Sequence, residues 1–391
     1  MQVVEVSGPA LEQAFLQVNV DINSGNPNYI QPLDKDVRAI FDPAKNKAFR
    51  FGTAKRWLLR DSAGKFIGRI AAFFSKKYKS KGDDGPVGGM GFFDCINNQQ
   101  AANLLLDTAK QWLVQQEPDM VAMDGPINFG ERDRFWGLVV EGFQEPLYNM
   151  NYNPPYYRAL LEHYGFQVFF YQLCIGINPK APLNPKLWER HAQFAKDPSF
   201  TARTIDKSQI EQYAGDFATV YNAAWAGHGG LKSIKKEQVV QMFRTMKPVM
   251  DERLLWFIYH KEQPVAMFIN LPDLNQWFKY LHGKFDLWHK LKFLWVKKTK
   301  RCKKFTGLVF GVVPEYQGKG VDAFMIVEAA KVVQLPEMPY DEYEMQWIGD
   351  FNPKMLNIAH NLGDTFISRK LATFRYNFDQ SKPFQRHPIL S

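Results

Sequence analysis

Apolar positions along this chain follow two periods, and the periods alternate in an order that is run through twice. In the first run, Gln2 to Val6 reads as a strand, and Leu11, Ala14, Phe15 and Val18 recur at helical spacing across Pro9 to Val20. Leu33 to Phe41 reads as a short helix, and Arg56 to Leu59 with Phe66 to Phe74 as a hairpin around Asp61 to Gly64. A strand over Gly91 to Cys95, a helix over Asn98 to Gln116, a strand over Met120 to Met123, a helix over Pro154 to His163 and an aromatic strand over Gln167 to Ile177 complete it. The second run has strands at Phe200 to Ile205, at the hairpin Leu254 to Tyr259 with Pro264 to Asn270, at Leu308 to Val313, at Tyr343 to Ile348 and at Phe366 to Phe378. Its helices are expected over Gln209 to Ala226, Lys236 to Met246, Val321 to Val332 and Pro353 to Leu362, with His228, Gly229 and Gly230 as a break between the first two.

The segments between the runs are informative too. Residues 178–200 carry prolines at 179, 182, 185 and 198 among many charges, so 179–199 reads as a linker between units 1–178 and 200–391. Asp124 to Tyr152 is a long glycine-punctuated loop, a length that usually marks function. This is repetition of architecture rather than of detailed sequence, and it implies an α/β (α+β) chain with two similar domains.

Composition narrows the class. In 391 residues, 49 Lys and Arg face 40 Asp and Glu, a net charge of +9 that favours a phosphate-bearing or otherwise anionic partner. Cys95, Cys174 and Cys302 have no Cys-x-x-Cys spacing, so neither a zinc site nor a disulfide framework is expected. The N-terminus lacks a charged segment followed by an apolar run, and no apolar stretch is long enough to span a bilayer. The expectation is a cytoplasmic protein without a metal or a transmembrane segment. No nucleic-acid-binding motif is present.

The chemistry concentrates in Gly307 to Val332, where an apolar strand runs through the turn Pro314 to Gly320 into a helix. Helix N-termini carry unpaired N–H groups and partial positive charge, and glycines let a phosphate approach the backbone closely. A Walker A loop is excluded, because Val313 stands where its first glycine is required and Gly320 where Ser or Thr is required. A dinucleotide fingerprint is matched by Gly318, Gly320 and Ala323, but four residues separate it from the strand end.

The third pattern is R/Q-x-x-G-x-G/A, met by Gln317, Gly318, Lys319 and Gly320 after the lead-in Val312, Pro314, Tyr316, with Asp322 in place of the last small residue. With Asn352, Met355, Ile358, Leu362 and Gly363 at the places of a following N-x-x-A/M helix, the C-terminal half resembles the GCN5-related N-acetyltransferases (GNATs) over about 190 residues. The first half is similar in element order and in Leu160 to Phe166, but Cys95 to Asn98 replaces the loop motif, as in a degenerate copy. The run Gly125 to Asp133 is similar to that of an uncharacterised bacterial subfamily with two such halves.

The resemblance implies two tandem GNAT-like domains, each a splayed mixed, mostly antiparallel sheet flanked by helices. It further implies acetyl-CoA, or another acyl-CoA, bound by the C-terminal half, and transfer to an unknown amine acceptor, possibly in the groove between the halves. Cofactor contacts would come from Phe310, Val312 and Val313 on the strand, from Gln317, Gly318, Lys319, Gly320, Val321 and Asp322 at the turn, and from Asn352. The family's thiolate-protonating tyrosine corresponds to Ala359, leaving Tyr376 or a water for that role. Asp350, His360 and Glu344 are the general-base candidates. Cys302, flanked by Arg301, Lys303 and Lys304, reads as a surface cysteine whose pKa those neighbours lower. The substitutions at Asp322 and Ala359 also fit a non-catalytic protein of this fold that senses CoA or binds another partner.

The insertion 277–304 carries many lysines and a single acidic residue, Asp286, with Phe285, Trp288, Leu291 and Trp295 at helical spacing. Such a helix packs its stripe on its own protein and solvates its lysines, turns the lysines to an anionic ligand, or lies on an anionic membrane surface.

Overall fold

The computed structural model describes residues 1–225 and 233–390; the expected break at His228, Gly229 and Gly230 lies outside them. The first half contains β1 (Gln2–Glu5), α1 (Gly8–Asn23), α2 (Asp34–Ile40), β2 (Gly52–Arg60), β3 (Phe66–Ser75), β4 (Val87–Cys95) and α3 (Gln99–Gln116). It continues through β5 (Ala122–Gly125), β6 (Leu138–Glu141), α4 (Tyr157–Tyr164) and β7 (Gln167–Ile177). α5 (Pro185–Phe194) follows, then β8 (Phe200–Thr204), α6 (Ile210–Trp225), α7 (Lys236–Met246), β9 (Leu255–His260), β10 (Gln263–Pro272), α8 (Asn275–Phe278) and α9 (Leu287–Thr299). The chain ends with β11 (Lys304–Val312), α10 (Val321–Val333), β12 (Glu342–Met345), β13 (Ile348–Gly349), α11 (Pro353–His360) and β14 (Thr365–Asn377).

Local chemistry explains many boundaries. Asn98 caps α3 by accepting the N–H of Ala101, Asn352 caps α11 by accepting that of Met355, and Gly165 ends α4 with φ +112°. Within the long loop expected over 124–152, β6 forms because Leu138 and Val139 find an edge on β14. The stretch 179–199 contains α5, which packs its buried Leu187 and His191 inward, with the His191 ring stacked on Phe324 of α10. His191 Nε2 lies 2.6 Å from the Glu328 carboxylate.

Among the described residues, fourteen strands join into one sheet, in the order β1-β2-β3-β4-β5-β14-β7-β12-β11-β10-β9-β8, with β13 on β7 and β6 on β14. The two halves exchange their last strands. β14 lies between β5 and β7 of the first half, and β7 lies between β14 and β12 of the second. Each core therefore contains residues of the other half: Ala372 and Phe374 join the N-terminal core with Leu105, Met123 and Phe166, while Ile177 and Leu33 join the C-terminal one with Phe257, Met267 and Phe305.

The insertion braces the same junction. Phe278 packs edge-on to Tyr148, Asn275 Nδ2 donates to the carbonyl of Pro146 (2.8 Å), Lys279 pairs with Glu145 (2.9 Å), and the Asp34 N–H donates to the carbonyl of Gly283 (2.7 Å). α9 docks through Phe293 and Val296 onto Trp277, Phe278 and Phe285. Of the expected stripe, Phe285 packs on Phe278 and Phe293, while Trp288, Leu291 and Trp295 face away from the protein.

Candidate acyl-CoA site

β11 and β12 run parallel and pair only from Lys304 with Glu342 to Gly307 with Met345. Beyond that point β11 continues to Val312 paired, among the described residues, with β10 alone, while the segment after β12 turns away and pairs as β13 with β7. The strands part because β7 claims the neighbouring edge. Parting leaves the N–H and C=O groups on one edge of Leu308 to Val312 without a strand partner, and buried backbone groups need one.

The turn after β11 depends on two glycines and on a tie to the strand end. Gln317 Nε2 donates to the carbonyl of Val312 (2.9 Å) and ties the turn to the strand end. Gly318 and Gly320 take φ of +72° and +101°, which L side chains rarely adopt. Gly320 is the N-cap of α10 and has no side chain to accept the first-turn N–H groups. A Cβ on it would also come within 3.1 Å of the Phe194 ring of α5. Asp322 lies in the first turn of α10, where a carboxylate complements the helix dipole, and Lys319 is exposed beside it. Val321 is fully buried and anchors the helix start.

Behind the turn, between α10 and α11, lies an apolar cleft of about 110 Å³. Phe310 and Tyr343 form its sheet side, Ile326 and Ala330 its α10 side, Met355 and Ala359 its α11 side, and residues 177–183 close one end. The segment expected as a linker thus forms part of the wall. Ala359, which stands at the tyrosine position of the resemblance, lines the cleft.

Two polar side-chain groups meet where the strands part. The Tyr343 hydroxyl has no hydrogen bond among the described residues, and burial pushes its pKa above the ordinary phenol value. Asn270 uses Nδ2 on the carbonyl of Leu254 (2.9 Å), but its Oδ1 is buried without a partner among the described residues. Gly307 makes room for this group: a Cβ there would lie 2.2 Å from the Tyr343 hydroxyl and 3.4 Å from Asn270 Oδ1. Buried polar atoms without partners are uncommon in native proteins. Sequence reading passed over Tyr343 and Asn270 because each looked like an interior residue of an apolar strand.

The structure brings Phe310 into the cleft lining, whereas Val312, Val313 and residues 317–322 do not line it. The Val313 N–H donates to Val265 O (2.9 Å), and Asn352 serves as the cap of α11. The acid–base candidates lie elsewhere. Asp350 is bound by Arg386 of the C-terminal tail (2.5 Å). His360 is exposed at the end of α11, with Nδ1 3.3 Å from the Thr365 hydroxyl. Tyr376 packs on Tyr164 and Phe166 in the N-terminal core.

Glu344 is a buried structural anion. Burial works to raise its pKa, but Arg369 (2.7 Å) and Lys304 (3.2 Å) outweigh it and hold the carboxyl below the ordinary range. Such a carboxylate is a poor base. Cys302 corrects the sequence expectation of a surface thiol of lowered pKa: it is buried, and burial, with the nearby Asp273, pushes its thiol up to about 12. Its sulfur points inward, 3.1 Å from the carbonyl of Lys304.

The first half treats its own parting strands differently. β4 and β5 pair in parallel from Val87 with Ala122 to Gly89 with Asp124. The run Gly125 to Asp133 then folds across the opening, its Ile127 N–H donating to the carbonyl of Met90 (2.7 Å). A Cβ on Gly91 would lie 1.9 Å from Ile127 O, so the space is full. On the far side of the run a cavity of about 520 Å³ opens among Phe51, Tyr78, Arg132, Arg134 and Trp136.

Solved structures share this architecture along its whole length. A tandem GNAT protein from the clavulanic acid biosynthesis pathway superposes with a TM-score of 0.52 at 10% identity, over 98% of this chain and 100% of that one. The chain has the tandem GNAT fold. A GCN5-related N-acetyltransferase from Sphaerobacter thermophilus matches with a TM-score of 0.50 at 10% identity, over 98% and 97% of the two chains. A fungal multi-domain GH3 β-N-acetylglucosaminidase with a GCN5-related glucosamine N-acetyltransferase region matches at 0.54 and 12% identity; this tandem fold spans 96% of itself but 38% of that longer chain. In sequence, the tandem fold is 24% identical over 370 residues to a bacterial ceramide synthase of Caulobacter vibrioides, covering 93% of this chain and 94% of that protein. No family model matches the chain.

Proposed function

We propose that this protein is an N-acyltransferase that takes an acyl group from acyl-CoA, held by the C-terminal half, and gives it to an amine. The observation that carries this reading is the opening of β11 from β12 beside a glycine-capped helix and an apolar cleft. The pyrophosphate would lie on the N–H groups of residues 318–322, with Lys319 adding charge. The pantetheine would extend along the free edge of β11, and the acyl group would enter the cleft.

In the reaction the amine nitrogen attacks the thioester carbon, the C–N bond forms and the C–S bond breaks. The proton lost by nitrogen ends on sulfur. A backbone N–H on the free edge of β11 would polarise the carbonyl. Tyr343, kept protonated by burial, would donate a hydrogen bond to sulfur as negative charge develops there. Asn270 Oδ1 would accept from an N–H of the amine or of the pantetheine. Asp350 and His360 are not required for this arrangement.

The likeness to a ceramide synthase favours one acceptor class. A ceramide is the amide of a fatty acid with a long-chain amino alcohol, and the apolar lining suits an acyl chain longer than the acetyl expected from sequence. The test is release of free CoA from acetyl-CoA and from a long-chain acyl-CoA, each with soluble amines and with a long-chain amino alcohol. Amide formation with the long-chain pair is expected. Absence of turnover with every pair, with stabilisation by CoA retained, would leave the non-catalytic CoA-binding alternative; absence of both would remove the reading.

A further inference from the structure

α9 shows a wide apolar face to solvent. Leu287, Trp288, Leu291, Leu294 and Trp295 are 71%, 78%, 53%, 56% and 61% exposed. At about 100° per residue these five fall within roughly one third of the helix circumference. Phe293 and Val296, which hold α9 to the protein, lie on the opposite side. Lys290 and Lys292 flank the apolar face on its two sides, and Lys298 and Lys300 stand at its C-terminal end, all exposed. Asp286, the acidic residue of the segment, is taken up by the cap, accepting from the backbone and ring of His289.

Large exposed apolar patches on folded proteins mark binding surfaces. α9 has 13 residues, a length of about 20 Å, too short to cross the roughly 30 Å hydrocarbon core. Among the described residues no helix is long and apolar enough to do so. An apolar stripe with two tryptophans, bordered by lysines on both sides, has the pattern of a helix lying in the plane of a lipid interface. Two copies of the face against each other would bring the flanking lysines together without acidic partners, so charge complementarity selects an anionic surface over a second copy.

We propose that α9 docks the protein on an anionic lipid bilayer, with Leu287, Trp288, Leu291, Leu294 and Trp295 in the interface and Lys290, Lys292, Lys298 and Lys300 against the headgroups. This rests on α9 alone and stands whether or not the chain transfers acyl groups.

The test is co-sedimentation of the full-length chain with phosphatidylcholine vesicles, with and without phosphatidylglycerol, alongside tryptophan emission. Binding to the phosphatidylglycerol vesicles, a blue shift and weakening by salt are expected. Trp288→Ser/Leu291→Ser/Trp295→Ser should lower vesicle binding roughly tenfold or more with the melting curve retained, since these side chains make no core. Lys290→Glu/Lys292→Glu/Lys298→Glu should abolish the preference for phosphatidylglycerol. Failure of the wild type to bind anionic vesicles, or equal binding by the serine variant, overturns the proposal. So does a dimer in size-exclusion chromatography that the serine variant splits while neither protein binds vesicles.

Discussion

The guanidinium of Arg375 grips the carboxylate of Asp124 with two hydrogen bonds, Nε to Oδ1 at 2.6 Å and Nη2 to Oδ2 at 2.9 Å, across 251 residues of sequence. Both side chains are buried, and Nη1 of the same arginine reaches Asp83 at 2.8 Å. The pair fastens the last strand of the chain into the first half, which makes it a probe of the strand exchange. Removing one member of a buried pair leaves an uncompensated charge and typically costs about 3–5 kcal/mol. Arg375→Met should therefore destabilise the whole chain by that order in denaturant unfolding, and adding Asp124→Asn and Asp83→Asn should restore part of it. A loss confined to one of two separate transitions would contradict a single cooperative junction.

Gly320 tests the loop. A leucine there must adopt φ near +101° and crowd Phe194, so modest destabilisation is expected by itself. The informative readout is ligand-induced stabilisation. A ligand at 100 times its Kd stabilises by about 2.7 kcal/mol. Wild type should show such a rise in melting temperature with acyl-CoA, and Gly320→Leu should show little or none. An equal rise in both would place the pyrophosphate elsewhere.

Tyr343→Phe removes one hydroxyl from the point where β11 and β12 part. A hydrogen bond to a charged group is worth about 1.5–3 kcal/mol, so kcat should fall roughly 10- to 100-fold. KM for acyl-CoA should change little, because the interaction strengthens only as sulfur gains charge. Unchanged kcat would remove Tyr343 from the reaction.

Asp273 gives a pH signature. It is buried, accepts the N–H groups of Tyr148 (3.1 Å) and Asn275 (3.2 Å), and burial pushes its carboxyl up to about 6 from 3.8. The folded chain thus holds this proton at pH values where the unfolded chain has released it. Its contribution to stability is fully present below 3.8 and is lost as pH rises through 6, about 3 kcal/mol over the window. Asn keeps the acceptor without the charge. Asp273→Asn should match wild type near pH 4 and exceed it in unfolding free energy at pH 7. A constant difference across that range would show that the carboxyl does not titrate there.

Local chemistry was readable without coordinates. The strand–turn–helix at 307–332 depends on where glycines and apolar residues fall within a few positions, and such backbone geometry is encoded by those positions alone. So are the hairpin at Asp61 to Gly64 and the twofold run of elements. What sequence left open required partners far away in the chain. Nothing in Thr365 to Asn377 says that it pairs with both β5 and β7, because an alternating strand suits any edge of matching register. The same holds for Glu344, which read as a base until Arg369 and Lys304 were found around it, and for Cys302, whose basic neighbours in sequence point elsewhere in space. The direction in which the stripe of α9 faces was decided by Phe293 and Val296 docking first. The sequence by itself determined most of the elements, their twofold order and the glycine-containing turn before α10. Tertiary structure alone decided which strands are exchanged, which polar atoms are left without partners beside the cleft, and which face of α9 meets solvent, because burial and long-range pairing depend on distant segments.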